Sequence, residues 1–435
     1  PMVDICRDPR WGRIAEGAGE DPMLGQAMAR ARVRGFQAID LLGERKIVAC
    51  PKHYVAYGGA EAGKDYNTVD VSERTLRDVY LPPFKAAFDA GAGSVMSAFN
   101  EINGIPASAN SFKLPTLFRQ QWGFTCVILS DYDAIGELIP HGFAADLQEA
   151  AYKSIMAGVD MDMMSNAFFK HLADLVREEK IPQMIVNDAV RRILRLKIQL
   201  GLFEQPYTDE HLAEAIILRE DYKEVALEVA QKSMVLLRNE DNLLPLSPTL
   251  TSIAVIGPLA DDRHAPLGCW ACEGYPEDVE TVLEGLEAVK PDTVVLTYEK
   301  GCGIQDEGPL TEAAKHGIEK AIAAAREADV VIMVLGESAA MSGEAHSRAH
   351  LGLPGQQQAL LEAIYATGTP IVAVLMSGRP LVIPWIAEHV PAIVQAWHGG
   401  IRTGRAVADI LFGHVNPSGK LTASFPRTEG QIPVY

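Results

Sequence analysis

Short apolar runs alternate with helix-length amphipathic segments through the first half of the chain. Most of the runs end in polar residues, and they predict strands over 2–6, 46–50, 94–99, 126–129 and within 157–163. Between them, apolar residues at helical spacing predict helices over 22–39, 72–91, 144–157, 167–179 and 183–200. Strands that alternate with helices and end in polar residues are typical of a parallel α/β architecture.

A second alternating block follows a stretch of weak pattern at 207–221, which we interpret as a linker. Its predicted strands are 253–257, 293–298, 330–335, 371–375 and 392–396, and its predicted helices are 222–239, 311–327 and 355–367. This spacing favours a doubly wound, three-layer sandwich. The pattern therefore predicts a first domain at 1–206, the linker at 207–221 and a second domain at 222–435. A G-x-G-x-x-G motif does not follow the strand 253–257, which disfavours nucleotide binding.

The first block shows five strand–helix units, whereas a closed barrel of the (β/α)₈ type needs eight. Five parallel strands leave two edges with unpaired backbone N–H and C=O groups, and such edges promote aggregation. We therefore expect further strands before Pro1, and we expect residues 1–435 by themselves to be unstable or inactive.

Composition narrows the function classes. The chain has 435 residues, 48% of them apolar, and a formal net charge of −18, which argues against nucleic acid or an acidic membrane as partner. An apolar run of the ~20 residues that span a membrane is absent from the sequence. Six cysteines in a chain of this length do not suggest a disulfide framework, and the CxxC spacing of Cys269 and Cys272 has no second pair to support a metal site.

The segment 126–135 carries the clearest candidate chemistry. A short apolar strand ends in Ser130-Asp131-Tyr132, and a helix is predicted to begin directly after it. Barrel enzymes carry their catalytic groups at the C-terminal ends of strands, so Asp131 is a candidate catalytic carboxylate. Alternatively, Ser130 or Asp131 merely caps the following helix. This segment alone does not decide between the two.

Several co-linear motifs resemble glycoside hydrolase family 3, in particular its branch of bacterial periplasmic β-glucosidases. They are RDPRWGR at 7–13, KHYVAYGG at 52–59, VMSAFNEINGIPAS at 95–108, SDYDAI at 130–135, AGVDMDM at 157–163, SMVLLRNEDNLLPL at 233–246, IAVIGPLADD at 253–262 and NPSGKLTASFPRTEGQIPVY at 416–435. The resemblance covers essentially the whole chain. It implies a TIM-type (β/α)₈ barrel, here without its N-terminal strands, followed by a six-stranded α/β/α sandwich.

The same resemblance implies a retaining, exo-acting β-glucosidase without metal or organic cofactor. Its substrate would be a short β-linked gluco-oligosaccharide or an aryl β-glucoside, and its location would be periplasmic or secreted. The resemblance does not decide whether the protein forms a homodimer. Two alternatives remain: a β-xylosidase of the same family, and a catalytically incompetent sugar-binding fragment.

Asp131 falls on the position of the family's nucleophile, which in a retaining enzyme lies ~5–5.5 Å from the acid/base carboxyl group. Arg13, Lys52 and His53 match positions that donate to sugar hydroxyls. The acid/base of the family lies on a loop of the second domain that reaches over the barrel mouth, and here Glu344 fits the pattern of Glu followed four residues later by Arg, at Arg348. Glu337 is the second candidate, and we expect it to be structural.

Neighbouring positions refine this picture. Tyr132 replaces a frequent Trp and is expected to stack on a sugar face, and Met96 is either an apolar pocket wall or a core residue. Phe99 replaces a frequent Tyr, so it cannot donate a hydrogen bond to the nucleophile. We expect Asp133 to start a helix, and Asp160 and Asp162 to accept hydrogen bonds from loop backbones.

Overall fold

The computed structural model describes residues 1–37, 47–305, 308 and 311–434. The chain divides into two compact units, one comprising 1–11 and 16–210, the other 12–15 and 211–435. Within the described ranges, none of the helices is both long and apolar enough to cross a membrane. The predicted domain boundaries at 206 and 222 remain predictions.

The first unit contains six α-helices within its described part. They are α1 (Pro22–Gln37), α2 (Glu73–Thr75), α3 (Leu81–Asp89), α4 (Leu147–Met156), α5 (Ala167–Arg177) and α6 (Gln183–Gln199). Its named strands are β1 (Ser94–Met96), β2 (Glu101–Ile102), β3 (Ile105–Pro106) and β4 (Val127–Leu129). The helix predicted over 72–91 is interrupted by a wider π-type turn at Leu76–Tyr80, directly before Pro82 and Pro83. Proline lacks the N–H that would continue regular helical bonding.

Five extended segments of this unit lie side by side in chain order, and every pairing is parallel. Met2 pairs with Lys52, Tyr54 with Ser97, β1 with β4, and Leu129 with Met161. This is the neighbour order of consecutive barrel strands. The second strand lies later than predicted, because the pairing involves Lys52 and Tyr54 and not the apolar run 47–50. Lys46, the first residue of that predicted strand, lies outside the described residues.

The second unit is built on one six-stranded sheet. Its strands are β5 (Val235–Asn239), β6 (Ser252–Ile256), β7 (Val295–Glu299), β8 (Val330–Gly336), β9 (Ile371–Met376) and β10 (Ala392–Gln395), in the spatial order β5-β10-β9-β8-β6-β7. All pairings are parallel except that of β5 with β10. The prediction of helix over 222–239 is therefore wrong for its last five residues, which form β5.

Residues alternate between the two faces of the sheet along each strand. Since the inner strands are apolar on both faces, helices cover both faces. The helices of the unit are α7 (Leu212–Ile216), α8 (Glu220–Ser233), α9 (Val282–Val289), α10 (Glu312–Glu327), α11 (Gln357–Tyr365), α12 (Pro384–His389) and α13 (Thr403–Leu411). One core packs α8, α9 and α13 against residues such as Val255, while the other packs α10, α11 and α12 against residues such as Ile256. The expected three-layer sandwich is confirmed, although the pattern did not reveal α9, α12 and α13.

Candidate active site

Asp131 follows β4 at the C-terminal end of the strand, with Ser130 between them. The backbone N–H of Ser130 donates to the carbonyl of Met161 (2.9 Å), and its hydroxyl accepts from the N–H of Met163 (2.8 Å). These bonds fix the strand end against the neighbouring segment. The Asp131 side chain is buried, and its Oδ1 accepts from the N–H of Tyr132 at 2.8 Å.

His53 faces Asp131 from the second extended segment. Its Nε2 lies 3.4 Å from Oδ2 of Asp131, and its ring is fully buried. Its other ring nitrogen, Nδ1, lies 2.9 Å from Oδ2 of Asp4, and the same oxygen accepts from the backbone N–H of His53 at 2.9 Å. Asp4 was not among the residues selected from the sequence.

Two aromatic rings lie beside the imidazole. Tyr57 meets it edge-on with ring centroids 5.1 Å apart, and Phe99 lies 6.4 Å away. Phe99 in turn packs against Tyr57 and Tyr66 at 5.9 and 5.3 Å. The ring that replaces a frequent Tyr is thus a buried part of the wall beside His53.

The other residues predicted for this part of the site differ in exposure. Lys52 and Met96 are partly buried at the ends of their segments, whereas Tyr132 is 59% exposed. Cys50 lies two residues before Lys52. Burial is the main cause that raises the pKa of the Cys50 thiol, so the thiol stays neutral.

The acidic residues expected to be structural bind backbone groups. Asp160 accepts from the N–H of Ile128 at 2.9 Å, and Asp162 accepts from that of Phe168 at 3.1 Å. Both bind backbone groups, but these belong to β4 and α5 and not to loops as expected. The carbonyl of Asp133 accepts from the N–H of Glu137 at 3.0 Å, but the following turn is only a short 3₁₀ helix at Gly136–Leu138.

Arg13 and Glu344 meet within the second unit. Nη1 of Arg13 lies 3.5 Å from Oε2 of Glu344, and the guanidinium carbon lies 6.0 Å from the ring centroid of Trp270. The carbonyl of Gly12 accepts from the N–H of Gly343 at 2.8 Å. A Cβ on Gly12 would lie 2.2 Å from the carbonyl oxygen of Gly343, so only glycine permits this approach. The sequence did not single out Trp270.

Glu337 occupies a different environment at the end of β8. Its side chain is fully buried and ion-paired with Arg348, and Nε of Arg379 lies 3.2 Å from its Oε1. Gly336 before it has φ of +141°, and a Cβ there would overlap the carbonyl oxygen of Met376. Side chain and backbone together therefore fix Glu337 in place.

Arg379 also holds the loop that carries Glu344. Its Nη2 donates to the carbonyl of His346 at 3.0 Å and to that of Met341. This arginine follows β9 in the run Ser377-Gly378-Arg379-Pro380, and no motif there indicates that it reaches a loop more than thirty residues earlier. Among the described residues, no three His, Cys, Asp or Glu side chains are grouped so as to hold a metal ion.

Comparison with known families matches both halves of the chain. The family model described as "Glycosyl hydrolase family 3 N terminal domain" matches residues 1–196, and the one described as "Glycosyl hydrolase family 3 C-terminal domain" matches residues 234–435. Among curated relatives, a periplasmic β-glucosidase of Salmonella typhimurium is 42% identical over the whole chain, and a β-xylosidase of Formosa agariphila is 39% identical.

Solved structures agree with this assignment. A β-glucosidase from Listeria innocua, crystallised with isofagomine, is 40% identical and superposes on the whole chain with a TM-score of 0.94. The predicted fold class is confirmed by this match. The chain spans 59% of the Salmonella protein, 62% of the Formosa protein and 60% of the Listeria chain. With both family models matched along its length, the chain belongs to glycosyl hydrolase family 3.

Proposed function

We propose that this protein is a retaining, exo-acting β-glucosidase that releases terminal non-reducing β-D-glucosyl residues, with Asp131 as nucleophile. One observation carries the proposal: Asp131 is buried at the end of a parallel strand, with the N–H of Tyr132 at 2.8 Å from Oδ1 and His53 Nε2 at 3.4 Å from Oδ2. Donors of this kind keep a carboxylate ionised and oriented for attack.

The reaction has two displacement steps. In the first, an oxygen of Asp131 bonds to the anomeric carbon while the glycosidic C–O bond breaks, and Glu344 gives a proton to the leaving oxygen. In the second, a water oxygen bonds to the anomeric carbon, its proton passes to Glu344, and the electron pair of the broken C–O bond returns to Asp131. Both steps invert the anomeric carbon, so the product retains the β configuration.

Binding roles go to the remaining predicted residues. Arg13, Lys52 and His53 are proposed to donate to sugar hydroxyls, His53 through the same Nε2–H that faces Asp131 at 3.4 Å. The exposed ring of Tyr132 is available to stack on a sugar face, and Met96 supplies an apolar wall. The substrate proposed is a short β-linked gluco-oligosaccharide or an aryl β-glucoside, and a periplasmic or secreted location is supported by the Salmonella relative.

The experiment compares nitrophenyl glycosides on the full-length gene product and identifies the covalent intermediate. A 2-deoxy-2-fluoro β-glucoside should inactivate the enzyme and add one sugar mass to the tryptic peptide that contains Asp131. Labelling of a peptide that does not include Asp131, or inversion of the product, would refute the mechanism. Because Asp133 shares that peptide, fragmentation must place the sugar on Asp131.

A β-xylosidase is the second candidate, supported by the Formosa relative at 39% identity. Xylose lacks the hydroxymethyl group at C5 of glucose, so the ratio of kcat/KM for nitrophenyl β-glucoside and β-xyloside decides between the two activities. Sugar binding by calorimetry without turnover of either substrate would instead indicate a sugar-binding protein.

A further inference from the structure

Asp4 holds His53 through two bonds to one carboxylate oxygen. Oδ2 of Asp4 accepts from the backbone N–H of His53 and faces ring Nδ1, each at 2.9 Å. Both side chains are almost completely buried, with at most 2% of either residue exposed. The backbone of the segment that carries Asp4 is itself fixed, since Val3 N–H donates to the carbonyl of Lys52 at 2.8 Å. The orientation of the imidazole is therefore set by Asp4.

The opposite ring nitrogen faces a second carboxylate. Nε2 of His53 lies 3.4 Å from Oδ2 of Asp131. An ionised carboxylate only accepts hydrogen bonds, and a neutral imidazole carries a hydrogen on just one of its two nitrogens. Only the imidazolium donates towards Asp4 and Asp131 at the same time.

The surrounding charges favour that state. Two carboxylates within 4 Å stabilise the charged form of an imidazole, whereas burial opposes it. Lys52, next in the chain, is the cation that acts against a further positive charge here, and the Cys50 thiol stays neutral because burial raises its pKa. The edge of Tyr57 and the ring of Phe99 also lie beside the imidazole and carry no charge.

We propose that Asp4 is a positioning residue that keeps His53 protonated against Asp131, so that the imidazolium stabilises the Asp131 carboxylate as it leaves the anomeric carbon. This inference rests on the proposed function. In the second displacement, the bond between the anomeric carbon and Asp131 breaks and a full negative charge returns to the carboxylate. A fixed cation aimed at the developing charge lowers the barrier of that step. The first displacement removes charge from Asp131, so the same cation does not assist it.

The test uses Asp4→Asn in the full-length gene product with 2,4-dinitrophenyl β-glucoside. This leaving group needs no proton, so kcat reports the second displacement and kcat/KM the first. We expect kcat to fall about 10- to 100-fold, less than the ~10²–10³-fold loss when a donor in direct contact with the developing charge is removed, because Asp4 acts through His53; kcat/KM should change much less. The glycosyl-enzyme should then accumulate, visible as a burst of dinitrophenolate.

The pH profile provides a readout that a merely structural role would not change. The second displacement uses the cationic form of His53, so the alkaline limb of kcat reports the loss of the proton from His53. That limb should lie above pH ~6.5 in the wild type, the ordinary pKa of histidine. It should move down by about one pH unit in Asp4→Asn and disappear in His53→Gln. Asp89→Asn, an exposed carboxylate paired with Lys85, provides the matched control without a shift.

Equal losses of kcat and kcat/KM with an unmoved alkaline limb would overturn the proposal. If Asp4→Asn does not fold, the alkaline limb of kcat in the wild type still tests the proposal. A limb at or below pH ~6.5 would contradict a stabilised imidazolium. Failure of the proposed function is distinguishable, since the wild type would then neither hydrolyse the dinitrophenyl glycoside nor label at Asp131.

Discussion

Arg348 forms its ion pair with Glu337 at the end of β8, while Glu344, four residues before it, lies beside Arg13. The Glu337 side chain is fully buried and also meets Arg379, whereas 27% of the Glu344 side chain is exposed. A general acid must reach substrate and exchange protons with water between steps. This contrast supports the assignment of Glu344 as acid/base and of Glu337 as a structural residue.

Glu337→Ala should destabilise the second unit by about 3–5 kcal/mol, because it leaves the buried guanidinium of Arg379 without its carboxylate partner. Urea unfolding followed by circular dichroism measures this change. Glu228→Ala is the matched control, a loss of the same side chain from an exposed i,i+4 pair with Lys232 in α8, and should cost about 1 kcal/mol or less. Equal losses from the two variants would contradict the structural role of Glu337.

Glu344→Ala should slow substrates with poor leaving groups by about 10²–10⁴-fold in kcat/KM, because only these need a proton in the first displacement. Dinitrophenyl β-glucoside should lose far less. Added azide should restore turnover and give a β-configured glycosyl azide, since azide attacks the glycosyl-enzyme without a base. Should Glu337→Ala show this pattern in folded protein while Glu344→Ala does not, the acid/base assignment is wrong.

The positions of Asp131 and His53 could be predicted because each lies in a polar run at the C-terminal end of a parallel segment. The partnership of Asp4 with His53 could not, since an aspartate within the run 2–6 gives no sign of a partner 49 residues later. The second segment was misplaced for a related reason: its pairing residues, Lys52 and Tyr54, lie in a run of mixed polarity, and the apolar run lies just before them. Residues at such strand ends belong to the candidate site, so they do not follow the apolar pattern that predicts a strand.

In the second unit, the inner strands β6, β8, β9 and β10 were predictable because nearly all of their residues are apolar and buried on both faces. The strand β5 was missed because it follows α8 with only Met234 between them and no glycine or proline to mark the change. Its last residues, Arg238 and Asn239, also lack the apolar character of β8 or β9. Pairing with β10, more than 150 residues later in the chain, decides that this segment is a strand.

Asp160→Asn should destabilise the first unit by about 3–5 kcal/mol, because the fully buried carboxylate of Asp160 binds Arg119, α6 and β4 together. Oδ1 accepts from Arg192 of α6 at 2.7 Å, and Oδ2 accepts from Arg119 at 2.8 Å and from the N–H of Ile128 in β4 at 2.9 Å. Burial is the main cause that lowers the pKa of Arg119, which shows how poorly solvated that cation is.

Thermal and urea unfolding measure the loss in Asp160→Asn. Asp89→Asn makes the same change of charge in an exposed i,i+4 pair with Lys85 and should cost at most about 1 kcal/mol. A loss in Asp160→Asn no larger than that of the control would show that the two arginines find water or other partners without cost.

His398 should make the second unit less stable as the pH falls below about 6.5. Loss of solvation is the main cause that lowers the pKa of its imidazole, aided by Arg379 and opposed by Glu337 and Asp262. Above pH 6.5 the ring is neutral in both the folded and the unfolded chain, so it adds no pH dependence. Below that value the unfolded chain takes up a proton that the folded chain excludes, and the free energy of unfolding falls by up to ~1.4 kcal/mol per pH unit until the lowered folded pKa is reached.

Urea unfolding of the wild type and of His398→Gln, at pH 7.5, 6.5 and 5.5, isolates this contribution from the other titrating groups. The difference in unfolding free energy should shift in favour of the variant by about 1 kcal/mol between pH 7.5 and 5.5. His316→Gln, at an exposed position of α10, is the control and should show a nearly constant difference. A constant difference for His398→Gln as well would mean that Glu337 and Asp262 offset the cost of burying the cation, and that His398 is protonated in the folded protein as readily as in the unfolded chain.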